Sequence, residues 1–200
     1  MHALAKKNIT AVILAGGQGR RMGGQDKGLI EFNGQPMVEI LIEKLKGQGV
    51  KIAINANRNL PAYQAYGLPV ISDQLGDFQG PLAGFAAAMG AVDTDYILTL
   101  PCDGPLLADN FVDFFIEAHS HQQANICVAD DGVRLQPVYA LIKVDLLQDL
   151  LGFLKSGDRK IDRWYAQHSF SKVDFSKQKS MFANINKPED RAAILEVNKS

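Results

Sequence analysis

Apolar runs and apolar stripes alternate along this chain. Ile9, Val12, Ile13 and Leu14 form a short β-branched run of the kind a strand buried on both faces needs, and Gly16, Gly17 and Gly19 stop it at once. Residues 29–32 and the turn Asn33-Gly34 lead into a helix from about Pro36, where Val38, Leu41, Ile42 and Leu45 recur at helical spacing until Gly47 and Gly49. Residues 51–55 (KIAIN) read as a second strand, 57–59 as a polar loop, and 69–72 as a short third strand ending at Asp73. From Gly80 the small-residue stretch PLAGFAAAMGAV predicts a closely packed helix in which Ala83, Gly84, Ala86 and Ala87 serve packing. Residues 96–100 (YILTL) make the strongest strand, which ends in Pro101-Cys102-Asp103.

In the second half, Asp109 caps or opens a helix with a core stripe of Phe111, Phe114, Phe115 and Ala118. His119 and His121 at its end fall on different sides of a helix, so they read as solvent-exposed residues and not as a metal pair. Residues 126–129 and 137–142 are strands around the turn Asp131-Gly132, and 144–154 is an amphipathic helix closed by Gly157. A basic turn at Asp158-Arg159-Lys160 and a strand at 170–173 follow, and Asn186 then caps a final helix. Strands alternating with helices, with no repeat or linker between them, indicate one α/β domain over residues 1–200 with a doubly wound, mostly parallel sheet. Residues 1–8 are expected to fray.

Composition narrows the partners. Two hundred residues, 46% of them apolar, suffice for one substantial core. A net charge of −1 implies no strongly basic face, so no nucleic-acid partner is expected. Cys102 and Cys127 are too few for a disulfide framework and read as small buried hydrophobes in a reducing compartment. Lys6 and Lys7 precede an apolar run too short for a signal peptide, and no later stretch approaches the roughly 20 apolar residues of a membrane span. The expectation is a cytoplasmic protein without a membrane partner.

The chemistry gathers in the glycine-rich stretch after the first strand. Glycine lets backbone N–H groups approach an anion closely, and Arg20, Arg21 and Lys27 outnumber Asp26 there, which suits a triphosphate. A P-loop is excluded because Lys27 is followed by Gly28 and not Ser or Thr, and the dinucleotide fingerprint fails because Met22 stands where its third glycine belongs. In open α/β sheets the ligand lies beyond the carboxyl ends of the strands. Asn55, Asp73 and Asp103 join the glycine loop at those ends. Asp103 can hold Mg²⁺, a hard cation that uses one or two carboxylates together with phosphate oxygens. Asp73 or Asn55 could select the base, since a carboxylate can accept from two adjacent donors.

The motifs Leu14-Ala15-Gly16-Gly17, Arg21-Met22-Gly23, Asp26-Lys27 and Gly34-Gln35-Pro36 resemble the nucleotidyltransferase signature. With Asn55-Ala56-Asn57-Arg58, Asp73, Gly80-Pro81-Leu82-Ala83-Gly84, Pro101-Cys102-Asp103 and Phe182-Ala183-Asn184-Ile185-Asn186, the chain is similar over nearly its whole length to the molybdenum cofactor guanylyltransferases. That resemblance implies a Rossmann-like nucleotide-diphospho-sugar-transferase fold, GTP and Mo-molybdopterin as substrates, and transient contacts with other molybdenum cofactor biosynthesis proteins or molybdoenzyme chaperones. It implies nucleotide binding at Leu14, Ala15, Gly16, Gly17, Lys27, Asn55, Asp73 and Asp103, with Lys27, Arg21 and Asp103 serving catalysis. Arg159, Lys160, Asn184 and Asn186 are then the acceptor set, the basic turn meeting an acceptor phosphate. Two alternatives remain open on the residues: a nucleotidyltransferase for another nucleotide or acceptor, such as a cytidylyltransferase, and a non-catalytic GTP-binding regulator.

Overall fold

The computed structural model describes residues 4–17, 25–74 and 80–185. In chain order it contains β1 (Ile9–Leu14), β2 (Glu31–Phe32), β3 (Gln35–Pro36), α1 (Met37–Gly47), β4 (Lys51–Asn55), α2 (Leu60–Gln64), β5 (Val70–Ile71) and α3 (Pro81–Ala91). There follow β6 (Tyr96–Pro101), α4 (Phe111–Gln122), β7 (Ile126–Asp130), β8 (Leu135–Lys143), α5 (Leu147–Lys155), α6 (Ile161–Tyr165) and β9 (Phe170–Asp174).

β1 is buried along nearly all of its length, its one polar side chain, Thr10, sharing a hydrogen bond with the Thr94 hydroxyl at 2.8 Å, and the seven-stranded sheet is ordered β5-β4-β1-β6-β8-β7-β9 around it. β5, β4, β1 and β6 run parallel, β7 and β9 pair parallel, and β8 alone is antiparallel to its neighbours. The mostly parallel α/β sheet is therefore as expected. Alternation along each strand divides the core into two layers. Ile9, Ala11 and Ile13 pack with α1 and α4, whereas Val12 and Ile97 pack with Leu82 and Phe85 of α3 and Trp164 of α6.

Local chemistry explains the junctions. Asn33 (φ 53°) and Gly34 (φ 80°) turn the short hairpin of β2 and β3 with the two positive φ values of a type I′ turn. Pro137 cannot donate to a ladder, and the β7–β8 register jumps there: Val128 faces Ala140 while Ala129 faces Gln136. Pro137, Val138 and Tyr139 are thus displaced from the β7 pairing, and the Thr99 hydroxyl donates to the Val138 carbonyl at 2.7 Å.

Three local expectations need correction. Asp109 does not cap α4; it pairs with Lys44 at 2.6 Å, and the free N–H of Val112 donates to Gln48 Oε1 from α1 at 2.8 Å. His119 is half-buried, hydrogen-bonded through Nε2 to the Tyr96 hydroxyl at 2.9 Å, and burial lowers its pKa. Residues 4–8 are held: Leu4 packs on the core, Lys6–Asn8 form a 3₁₀ turn, and Lys6 pairs with Asp113 at 2.7 Å. Cys102 and Cys127 are both free and buried. Among the described residues no helix is long and apolar enough to cross a membrane. The final helix expected at Asn186 lies outside the described residues.

Candidate nucleotide site

The carboxyl ends of β1, β4 and β6, the amino end of α3 and the displaced part of β8 enclose a cavity of ≈ 520 Å³. Leu14, Gly16 and Gly17 enter it from β1, Asn55 from β4, Asp73 from beyond β5, and Asp103 from beyond β6. Separate strands supply these groups because a parallel sheet brings all their carboxyl ends to one edge. Ala15 lies at that edge but is buried in the core, where its N–H donates to the Asn55 carbonyl at 2.7 Å. Arg21, with the centre of the basic loop, lies outside the described residues, as does Asn186.

One end of the cavity is built around Asp73. Asn55 Nδ2 donates to Asp73 Oδ1 at 2.8 Å, and Asn57 Nδ2 donates to Oδ2 at 2.8 Å. The Asp73 N–H returns a hydrogen bond to Asn57 Oδ1 at 2.8 Å. Each carboxylate oxygen keeps a lone pair, so the side chain is oriented and can still accept from two parallel donors. Gly84 of α3 belongs to this end as well. A Cβ there would stand 2.6 Å from Asn55 Oδ1 and 3.1 Å from Leu14 Cδ2, so this glycine keeps Asn55 in place and does more than pack the helix.

The other end carries charge. Lys27 Nζ donates to Asp103 Oδ2 at 2.8 Å, with both side chains largely buried. Asp103 Oδ1 is buried and has no hydrogen-bond partner among the described residues. The Tyr139 hydroxyl is likewise buried and unpartnered, and its pKa is pushed up by burial first and then by the Asp103 charge. Asn184 is exposed and lines the same cavity, brought there because the Ile185 N–H donates to the Asp103 carbonyl at 2.9 Å. Arg159 and Lys160 do not line it. The Arg159 guanidinium instead donates to the carbonyls of Leu154 and Asp158, both at 2.6 Å, at the end of α5, while Lys160 is exposed at the start of α6. Among the described residues no group of three or more His, Cys, Asp or Glu side chains could form a metal cage.

The profile of the MobA-like NTP transferase domain matches residues 11–173. The chain is 48% identical over 193 residues to a molybdenum cofactor guanylyltransferase of Shewanella sp. (strain MR-4), covering 96% of this chain and 98% of that one. The chain belongs to the MobA-like family of molybdenum cofactor guanylyltransferases. A second relative of that name, from Shewanella loihica, is 48% identical over 188 residues, covering 94% of this chain and 96% of that one. Among solved structures, the molybdopterin-guanine dinucleotide biosynthesis protein A of Archaeoglobus fulgidus superposes with a TM-score of 0.75 at 18% identity, covering 95% of this chain and 98% of its own. A 4-diphosphocytidyl-2C-methyl-D-erythritol synthase from Anaerococcus prevotii gives 0.71 at 13% identity, covering 98% of this chain and 100% of its own. At such identities these two show the fold alone. Asn57 and Gly84 stand in the motifs that carry the resemblance but were given no part in the site, and Tyr139 was not singled out. The Asn55-x-Asn57 spacing was the available signal, since residues two apart leave a strand on the same face.

Changing Asp73 to Asn tests the first end of the cavity. The substitution replaces one acceptor oxygen with an NH₂ donor, which opposes one of the two amides that orient Asp73 and one of the two base donors proposed to meet it, leaving at least one of them unpaired at about 1–3 kcal/mol. The GTP-over-ATP preference is expected to fall by about 10- to 100-fold. Competition binding with the four nucleoside triphosphates reads this directly, and an unchanged order would move base selection to backbone groups.

Proposed function

We propose that the protein transfers GMP from GTP to the phosphate of Mo-molybdopterin, forming molybdopterin guanine dinucleotide and pyrophosphate. An acceptor phosphate oxygen attacks the α-phosphorus; the new P–O bond forms as the bond to the bridging oxygen of pyrophosphate breaks. The nucleophile is already ionised at neutral pH, so no proton has to move and no histidine is needed. What remains is alignment and compensation of charge. The observation that carries this reading is the two-ended cavity: an oriented acceptor carboxylate, Asp73, in its wall at one end and Asp103, bonded to Lys27 behind the wall, at the other.

Asp73, steadied by Asn55 and Asn57, accepts from the guanine base. Gly16 and Gly17 bring backbone close to the phosphates, and Lys27, with Arg21, balances charge on the transferring and leaving groups. Asp103 Oδ1, without a partner among the described residues, would serve as a carboxylate ligand to Mg²⁺, a hard cation that takes oxygen ligands. When bound, that ion supplies Lewis-acid stabilisation of phosphoryl charge. We place the reaction in the cytoplasm, with transient contacts to proteins that deliver or receive the cofactor.

Acceptor-dependent pyrophosphate release, measured with the magnesium complexes of GTP, CTP and ATP, tests the reading. Release with GTP alone is expected. Preference for CTP would make the protein a cytidylyltransferase, and binding without release would make it a regulator. In this reading Asn184 and Asn186 hold the acceptor, and Arg159 and Lys160, outside the cavity wall on the turn between α5 and α6, meet a part of it that extends beyond the cavity. Asn184→Ala, and separately an Arg159→Ala/Lys160→Ala pair, are expected to weaken molybdopterin binding by about 10-fold each while leaving GTP affinity within a factor of about two. Weakened GTP binding with normal pterin binding would contradict this division.

A further inference from the structure

Tyr63 is fully buried on α2 and is absent from the cavity wall, yet its hydroxyl donates to Asp26 Oδ1 at 2.5 Å. Asp26 is itself buried at 8% exposure, the residue immediately before Lys27. Its other oxygen accepts from Asn59 Nδ2 at 3.0 Å and faces Arg58 Nε at 3.7 Å. Arg58 also donates through Nη2 to the Gln25 carbonyl at 2.8 Å. On the far side of Lys27, a Cβ on Gly28 would stand 2.6 Å from the Tyr63 hydroxyl, so the backbone of the turn lies directly against the phenol. The turn is closed by hydrogen bonds from Leu29 N to the Asp26 carbonyl at 3.1 Å and from Ile30 N to the Lys27 carbonyl at 3.2 Å.

A buried carboxylate costs stability unless it is paired, and an apolar residue would fill this place more cheaply. Asp26 therefore needs a reason to be there, and geometry supplies one. Both neighbours of Lys27 are pinned to a single short stretch, residues 58–63, while the Lys27 side chain reaches away to Asp103. The phenol keeps its proton, because burial and then the bond to Asp26 push its pKa well up, so it remains a donor throughout the working pH range. The same stretch begins beside Asn57, which orients Asp73 at the opposite end of the cavity.

We propose that Tyr63 and Asp26 form a positioning pair that fixes the Lys27 turn and aims its ammonium at the transferring phosphate. Neither touches substrate; both act through Lys27. The proposal rests on the role given to Lys27 above, and its test is arranged to separate the two. Tyr63→Phe removes only the hydroxyl and keeps the ring against Gly28. It is expected to lower kcat for acceptor-dependent pyrophosphate release on the order of 10-fold while KM for GTP stays within about twofold, since a small misplacement of a reacting group costs rate more than binding. In a Lys27→Ala background, single-turnover measurements with enzyme in excess should show no further loss on adding Tyr63→Phe. Rates are referred to folded enzyme by thermal melting of each variant. A lowered Tm with unchanged kcat, or a Tyr63→Phe loss that adds in full to that of Lys27→Ala, would overturn the pair as a positioning device. Wild-type turnover by Lys27→Ala alone would instead remove the role of Lys27, and the proposal with it.

Discussion

Asp103→Asn is expected to lower turnover by about 100- to 1000-fold, the size of effect seen when one preorganised electrostatic contact to a reacting group is removed. The fold should survive. The Asp103 backbone carbonyl holds the Ile185 N–H whatever the side chain is, and an amide fills nearly the same volume. The native carboxylate is also only half satisfied: Oδ2 has Lys27, but Oδ1 has no partner among the described residues. Leaving a buried charged oxygen unpaired is unfavourable, so its persistence points to a ligand that arrives with the nucleotide. The check is steady-state turnover at ordinary Mg²⁺ concentration beside a thermal melt. Near-wild-type turnover would remove Asp103 from the chemistry, and a collapsed melt would make its role structural.

Lys27→Ala is expected to reduce the single-turnover rate at saturating GTP by about 100-fold, or about 2.7 kcal/mol of transition-state stabilisation. Weaker GTP binding should be the smaller effect, because the contact strengthens as charge develops on the leaving pyrophosphate. Part of the loss belongs to Asp103, whose only side-chain partner among the described residues is Lys27. The two substitutions should therefore be strongly non-additive. Unchanged single-turnover rates with a raised Kd for GTP would make Lys27 a binding residue only.

Much of the fold was legible because its central strands are buried on both faces and read as plain apolar runs. β1, β4 and β6 stand where residues 9–14, 51–55 and 96–100 place them. α2 was missed, since five residues are too few to show a helical period. β8 was read two residues too short at its start, because Pro137 reads as a strand boundary whereas here it sits within a strand that departs from its neighbour. Nor could alternation alone reveal that β8 runs antiparallel, a direction that brings Pro137, Val138 and Tyr139 to the cavity.

The site was legible where chemistry sits in punctuation: glycines after β1 and single acidic residues after β5 and β6. It was illegible where a residue looks like ordinary core or loop. Tyr63 is an aromatic in a short apolar stretch, and nothing local ties it to Gly28 and Asp26, which lie a full helix and strand earlier in the chain. Asn57 looks like loop polarity until its pairing with Asp73 is seen. The basic turn shows the opposite failure. Arg159 stood out as charge, but its guanidinium is engaged with the carbonyls of Leu154 and Asp158 and it does not line the cavity.

The central claim is that the bond broken lies between the α- and β-phosphates of GTP, with the guanylyl group passing to the acceptor phosphate. Two parallel reactions with Mo-molybdopterin, one with GTP labelled at the α-phosphorus and one labelled at the γ-phosphorus, test it most directly. The expected result is α-label in the pterin product, γ-label in pyrophosphate, and equal amounts of the two products. Label from the γ-position in the pterin product, or orthophosphate in place of pyrophosphate, would contradict it.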